Sequence, residues 1–177
     1  MGPTCAGKST MINYMMSLSP TVGAVQIGKM MRAKYGEAHF KGQAAPSHTQ
    51  TEALEMYFTK TQQLINEGKE LILIDGQPRD LEQSKIMSES WKTYNSKFLL
   101  ITADHDVREN RARKDREPGP NLDLAIARLT NDYKSCYIVI VELIKRGVPI
   151  TVVDTSDPDY NNESFCRNLL VLYKGNQ

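Results

Sequence analysis

The chain has little cysteine, histidine or tryptophan: three, three and one among 177 residues. Cys5, Cys136 and Cys166 are odd in number and far apart, which excludes a disulfide framework and a thiolate metal cluster. His39, His48 and His105 share no ligand or triad spacing. Net charge is also lacking, with 22 basic residues against 21 acidic ones. That balance removes the electrostatic footprint of a duplex nucleic-acid or anionic-membrane binder, and no aromatic–basic patch suggests single strands. No apolar run reaches the about 18 residues of a membrane span, and no leader pattern is visible. A reducing, cytoplasmic setting is therefore expected. No repeat or low-complexity stretch divides the sequence, so residues 1–177 read as one domain.

What is present begins almost at once. Gly2-Pro3-Thr4-Cys5-Ala6-Gly7-Lys8-Ser9 spells G-x-x-x-x-G-K-S, a phosphate-binding loop. A triphosphate needs a ring of backbone N–H donors that side chains would obstruct, and Gly2 and Gly7 are expected to turn those donors inward. Lys8 would reach the β- and γ-phosphates, the Ser9 hydroxyl would ligate Mg²⁺, and Thr10 would complete the ATP-binding set. A helix over 8–18 would add the positive end of its dipole. Such loops normally follow a buried central strand, yet only Met1 precedes Gly2. The expectation is a truncated or misassigned start rather than a natural sheet without its middle strand.

Apolar runs at Leu71–Ile74, Phe98–Thr102 and Ile150–Val153 read as buried parallel strands, with Val22–Ile27 a weaker one. Each strong run is followed by a carboxylate (Asp75, Asp104, Asp154), as where strand ends open onto a ligand crevice. Helical periodicity covers Thr51–Glu67, stopping at Gly68, and Asp123–Arg146, stopping at Gly147; Glu163–Tyr173 closes the chain. The alternation predicts an α/β fold: a three-layer α/β/α sandwich on a mostly parallel sheet, of the P-loop kinase type.

Directly after the second strand stands Asp75-Gly76-Gln77-Pro78-Arg79, with Gln83 four residues on. Asp75 can hold Mg²⁺ beside Ser9. Pro78 fixes the turn that projects Arg79, whose guanidinium suits bidentate phosphate binding. Gln83 offers a donor and an acceptor to a nucleobase edge.

This stretch resembles the D-G-[FY]-P-R-x-x-x-Q signature of the adenylate kinases and their UMP/CMP kinase relatives. Ile27-Gly28-Lys29-Met30-Met31-Arg32 resembles the family's T-G-D-L-L-R segment, and Gly42-Gln43-Ala44-Ala45-Pro46 its G-x-x-V-P turn. Arg111 and Arg116 fall where the family places arginines flanking its lid, and Arg128-Leu129 resembles its K-R-L. The resemblance implies transfer of the γ-phosphoryl of Mg·ATP to a nucleoside monophosphate, with AMP the first choice of acceptor. It implies an acceptor-binding segment near 28–60 and a short lid near 111–121, with Arg32, Gly42 and Gln43 of that segment and Arg79 and Gln83 beyond it holding the monophosphate. Lys8, Arg79, Arg116 and Arg128 would be catalytic, and Arg111 would stack on the donor adenine. A monomer is expected.

The chain also departs from the family pattern. Lys29 stands where the family has an Asp, Gln77 replaces an aromatic, and the lid is reduced to Glu117-Pro118-Gly119-Pro120, without cysteines for zinc. Two alternatives therefore stay open: a kinase of the same type for another small acceptor, and a nucleotide-binding module without turnover.

Overall fold

The computed structural model describes residues 1–36, 47–94, 96–115, 118 and 120–174. In chain order the elements are α1 (Lys8–Leu18), β1 (Val22–Gln26), α2 (Ile27–Tyr35), α3 (Ser47–Asn66), β2 (Leu71–Asp75), α4 (Leu81–Thr93), β3 (Phe98–Thr102), α5 (His105–Lys114), α6 (Pro120–Lys145), β4 (Ile150–Asp154) and α7 (Asn162–Lys174). The architecture is α/β, and all strand pairing between these elements is parallel. The strands form two separate two-stranded sheets, β1–β2 and β3–β4, where one continuous sheet was expected. Contacts group the chain into two compact units. One holds Met1–Gly7 and Gly76–Pro158; the other holds Lys8–Asp75 and the segment from Asp159 onward.

In the second of these units, β1 and β2 run in register from Val22↔Leu71 to Gln26↔Asp75. Val22 and Val25 are buried, and Gly23 lets Leu64 of α3 approach so closely that an added Cβ would meet it at 3.0 Å. The predicted stop at Gly68 is real. Its φ of 75° and the bonds Gly68 N–H to Ile65 O (2.9 Å) and Lys69 N–H to Leu64 O (3.0 Å) form a Schellman cap on α3. On the far side of this unit α1 packs on α7. There Met11, Ile12 and Met15 are buried with Cys166, Leu169 and Leu170.

The other unit is built on β3–β4, in register from Phe98↔Ile150 to Thr102↔Asp154. Phe98, Val139 and Leu143 form its core cluster, with Trp91, Leu100 and Ile150 against it. Gly147 closes α6 as Gly68 closes α3, through Gly147 N–H to Ile144 O (2.9 Å) and Val148 N–H to Leu143 O (3.0 Å). Asp80 caps α4 by accepting the Gln83 N–H at 2.8 Å, a bond of the kind that contributes about 1 kcal/mol. Met1 lies along β3: its amino group donates to Leu99 O (2.7 Å) and its carbonyl accepts from Ile101 N–H (2.7 Å). Residues 99 and 101 thus use the edge of β3 opposite the one that faces β4.

Among the described residues, no helix is long and apolar enough to cross a membrane.

Candidate functional site

The loop predicted to bind phosphate leaves Met1 and passes the carboxyl end of β3. Gly2, Cys5 and Gly7 all have positive φ, at 153°, 61° and 89°. Gly2 is required for more than its dihedral: a Cβ there would sit 1.9 Å from Ile101 O. At Gly7 there is space, the nearest atoms being 3.7 Å away on Thr155, so its glycine answers to conformation alone.

Three successive loop residues are held by side chains from later in the same unit. Thr4 Oγ1 donates to Asp132 Oδ2. Cys5 O accepts from Arg111 Nη1 (3.2 Å), and Ala6 O accepts from Thr155 Oγ1 (3.1 Å). Arg111 also donates to Thr155 Oγ1 (2.9 Å) and Thr155 O (2.8 Å), so its guanidinium fork is turned onto protein atoms. Sequence reasoning expected that guanidinium to stack on an adenine; in the structure its terminal nitrogens have these partners. Its positive charge also reaches Asp154. The carboxyl of Asp154 is held below its ordinary value first by the Ser156 hydroxyl, then by the Ser156 N–H, and least by Arg111.

Lys8, Ser9 and Thr10 begin α1, with Ser9 and Thr10 exposed. In the same unit, β2 ends at Asp75, paired in register with Gln26, the residue before α2. Asp75 and the start of the Gly28–Arg32 segment therefore share one end of the β1–β2 sheet. Asp75 is half-buried, Ser9, Lys29 and Arg32 are exposed, and none of the four has a side-chain partner among the described residues. A free hydroxyl and a free carboxylate are the oxygen ligands that Mg²⁺ takes alongside a nucleotide's phosphates. Among the described residues there is no cluster of three or more His, Cys, Asp or Glu that would hold a metal by itself.

Arg79 is exposed. Its Nε donates to Gly76 O (2.9 Å), which aims the fork without using its terminal nitrogens. Gln83 is in a different situation. Only 2 % exposed, it accepts the Arg79 N–H on Oε1 at 2.7 Å, so the acceptor expected to read a nucleobase braces the Arg79 turn instead. Arg128, half-buried on α6, has no partner among the described residues. Gly42, Gln43 and Arg116 lie outside the described residues.

Sequence reasoning missed Thr155 and Asp132 because each is an ordinary polar residue far from any motif. A weak signal was available for Thr155, the first residue after a strand that ends in Asp154. Arg108 is 3 % exposed. It donates to Ala103 O (3.0 Å) and Leu129 O (2.9 Å), which ties α5 to α6. Gln77 is 6 % exposed and its Oε1 has no hydrogen-bond partner among the described residues.

No protein-family model matches the chain, and no curated protein matches it.

Proposed function

We propose that the chain is a P-loop nucleoside monophosphate kinase that transfers the γ-phosphoryl of Mg·ATP to a nucleoside monophosphate, with AMP as the first acceptor to test. The observation that carries this reading is the loop itself. Gly2, Cys5 and Gly7 take positive φ, the Cys5 and Ala6 carbonyls are tied down on one side, and Lys8 opens a helix. In a planar trans peptide the C=O and the following N–H point in opposite directions. The Ala6 N–H is used within the loop, donating to Pro3 O at 3.3 Å, while tying the Ala6 carbonyl back turns the Gly7 N–H the other way, as an anion cradle requires.

On this reading the loop N–H groups and Lys8 hold the donor phosphates, while Arg32 and Arg79 hold the acceptor phosphate. Arg128 and Arg116 neutralise the charge that spreads over the transferring oxygens. When bound with the nucleotide, Mg²⁺ supplies charge neutralisation at the β- and γ-oxygens, with Ser9 and Asp75 as its protein ligands. No general base is needed, because catalysis here is positioning and electrostatics. The two parallel sheets are read as parts of a three-layer α/β/α sandwich, and the protein as a cytoplasmic monomer.

That Arg32 and Asp75 have no side-chain partners among the described residues favours turnover over the reading as a binding module. Lys29, beside them, is the feature that keeps the module in view. The test is ADP formation from Mg·ATP with AMP, CMP, UMP, GMP and dTMP in turn. A rate that depends on one monophosphate is the expected result. Nucleotide binding without a monophosphate-dependent rate would leave the module, and absence of binding would end the phosphate-loop reading.

A further inference from the structure

The braces behind the loop suggest a role that neither the motif nor the proposed reaction requires. Thr155 is buried, and its hydroxyl has a single hydrogen to offer to Ala6 O and Thr102 O, each at 3.1 Å. Its oxygen in turn accepts from Arg111 Nη1 at 2.9 Å, and its backbone N–H donates to Thr102 O at 2.9 Å. Thr155 is thus fixed to the end of β3 by its main chain while its side chain and Arg111 together grip the loop. Asp132 takes Thr4 from α6, one helical turn beyond Arg128, so the helix that carries Arg128 is fastened to the same loop.

We propose that Thr155 and Arg111, with Asp132, are positioning residues for phosphate binding: they touch no phosphate but set the direction of the loop's N–H groups. The proposal rests on the phosphate-loop reading above. Without the braces the loop has to be ordered by the ligand, and that ordering is subtracted from affinity. The bond at Ala6 O is the critical one, because that carbonyl, released from behind, frees its peptide to rotate and carries the Gly7 N–H out of the ring; the bond at Cys5 O holds the preceding peptide, whose N–H donates to Pro3 O.

The experiment is calorimetric binding of Mg·ADP to the full chain, with the thermal midpoint recorded for each variant. Thr155→Val keeps the shape and removes the hydroxyl; it is expected to weaken Mg·ADP about tenfold, as for loss of one or two well-made hydrogen bonds. Thr155→Ser, which keeps the hydroxyl, should bind within about twofold of the parent. Arg111→Lys keeps the charge but loses the fork, and a weakening of about fivefold to tenfold is expected. It also keeps the proposal testable if Thr155→Val fails to fold. Thr155→Val and Arg111→Lys combined should cost less than the product of the two, because both act on one loop.

Unchanged Mg·ADP affinity in folded Thr155→Val and Arg111→Lys, with only a lower thermal midpoint, would reduce the braces to packing and overturn the proposal. Failure of the parent chain itself to bind Mg·ADP at millimolar concentration would instead overturn the phosphate-loop reading, and the proposal with it.

Discussion

The two regions that the proposed function assigns to phosphate are built on opposite plans. The loop at residues 2–7 is fastened at Thr4, Cys5 and Ala6 by side chains of its own unit. At the end of the β1–β2 sheet, Asp75, Lys29 and Arg32 stand without side-chain partners among the described residues. A ring of backbone donors has no charge to aim with and must be held in shape. Carboxylates, ammonium groups and guanidiniums act over longer distances and need to be unoccupied. The loop should therefore fail through loss of geometry, and the open end through loss of charge.

The largest expected effect lies where the plans meet in sequence. Lys8→Ala should lower phosphoryl transfer about a thousandfold with an unchanged thermal midpoint, because an electrostatic contact to the transferring group is lost. Transfer at more than a tenth of the parent rate would remove Lys8 from the chemistry. Arg32→Ala and Arg79→Ala should each raise KM for the monophosphate about tenfold to a hundredfold, leaving KM for ATP within about twofold. Equal changes in both constants would dissolve the assignment of separate donor and acceptor groups.

Gly2→Ala tests the opposite plan, with geometry changed and charge constant. The new Cβ falls 1.9 Å from Ile101 O, so the loop or β3 must move. A loss of about 2–3 kcal/mol in denaturant unfolding is expected. A loss below about 0.5 kcal/mol would show that the loop is not seated against β3 in solution.

Two smaller effects concern buried polar groups. Gln77→Met removes a carbonyl oxygen that is buried without a partner. It should stabilise the chain by about 1 kcal/mol in the same unfolding measurement; destabilisation would mean that water or ligand satisfies that oxygen. Burial pushes the Cys166 thiol up to about 11 from an ordinary 9.0. The unfolded chain then ionises before the folded one. Stability from this group is intact below about pH 9 and declines as pH rises toward 11, and Cys166→Ser should flatten that decline. An identical alkaline slope in the variant would assign it elsewhere.

Local features of the fold were legible in the sequence. The α1 limits agree with the helix expected after the loop motif and the β3 limits with its apolar run, and Gly68 and Gly147 end helices as their positions suggested. What periodicity does not encode is which strand pairs with which. Four apolar runs are compatible with one sheet or with two, and the register that joins β1 to β2 and β3 to β4 is a tertiary property. The site divides in the same way. Motif spacing identified the loop glycines, but the partners of Arg111 and Gln83 are set by neighbours that spacing cannot reveal. Thr155 and Asp132 carry no motif at all.

The braces also impose an order in time. A chain made from its amino end exposes the loop first, whereas Arg111, Asp132 and Thr155 follow 106, 128 and 149 residues after the positions they hold. Contacts of such separation close late, because the intervening chain must be gathered before they form. A nascent chain halted before Thr155 would carry the whole motif with its Ala6 carbonyl unheld, so on the proposed reading the grip on a nucleotide waits for Thr155, long after the motif itself has been made.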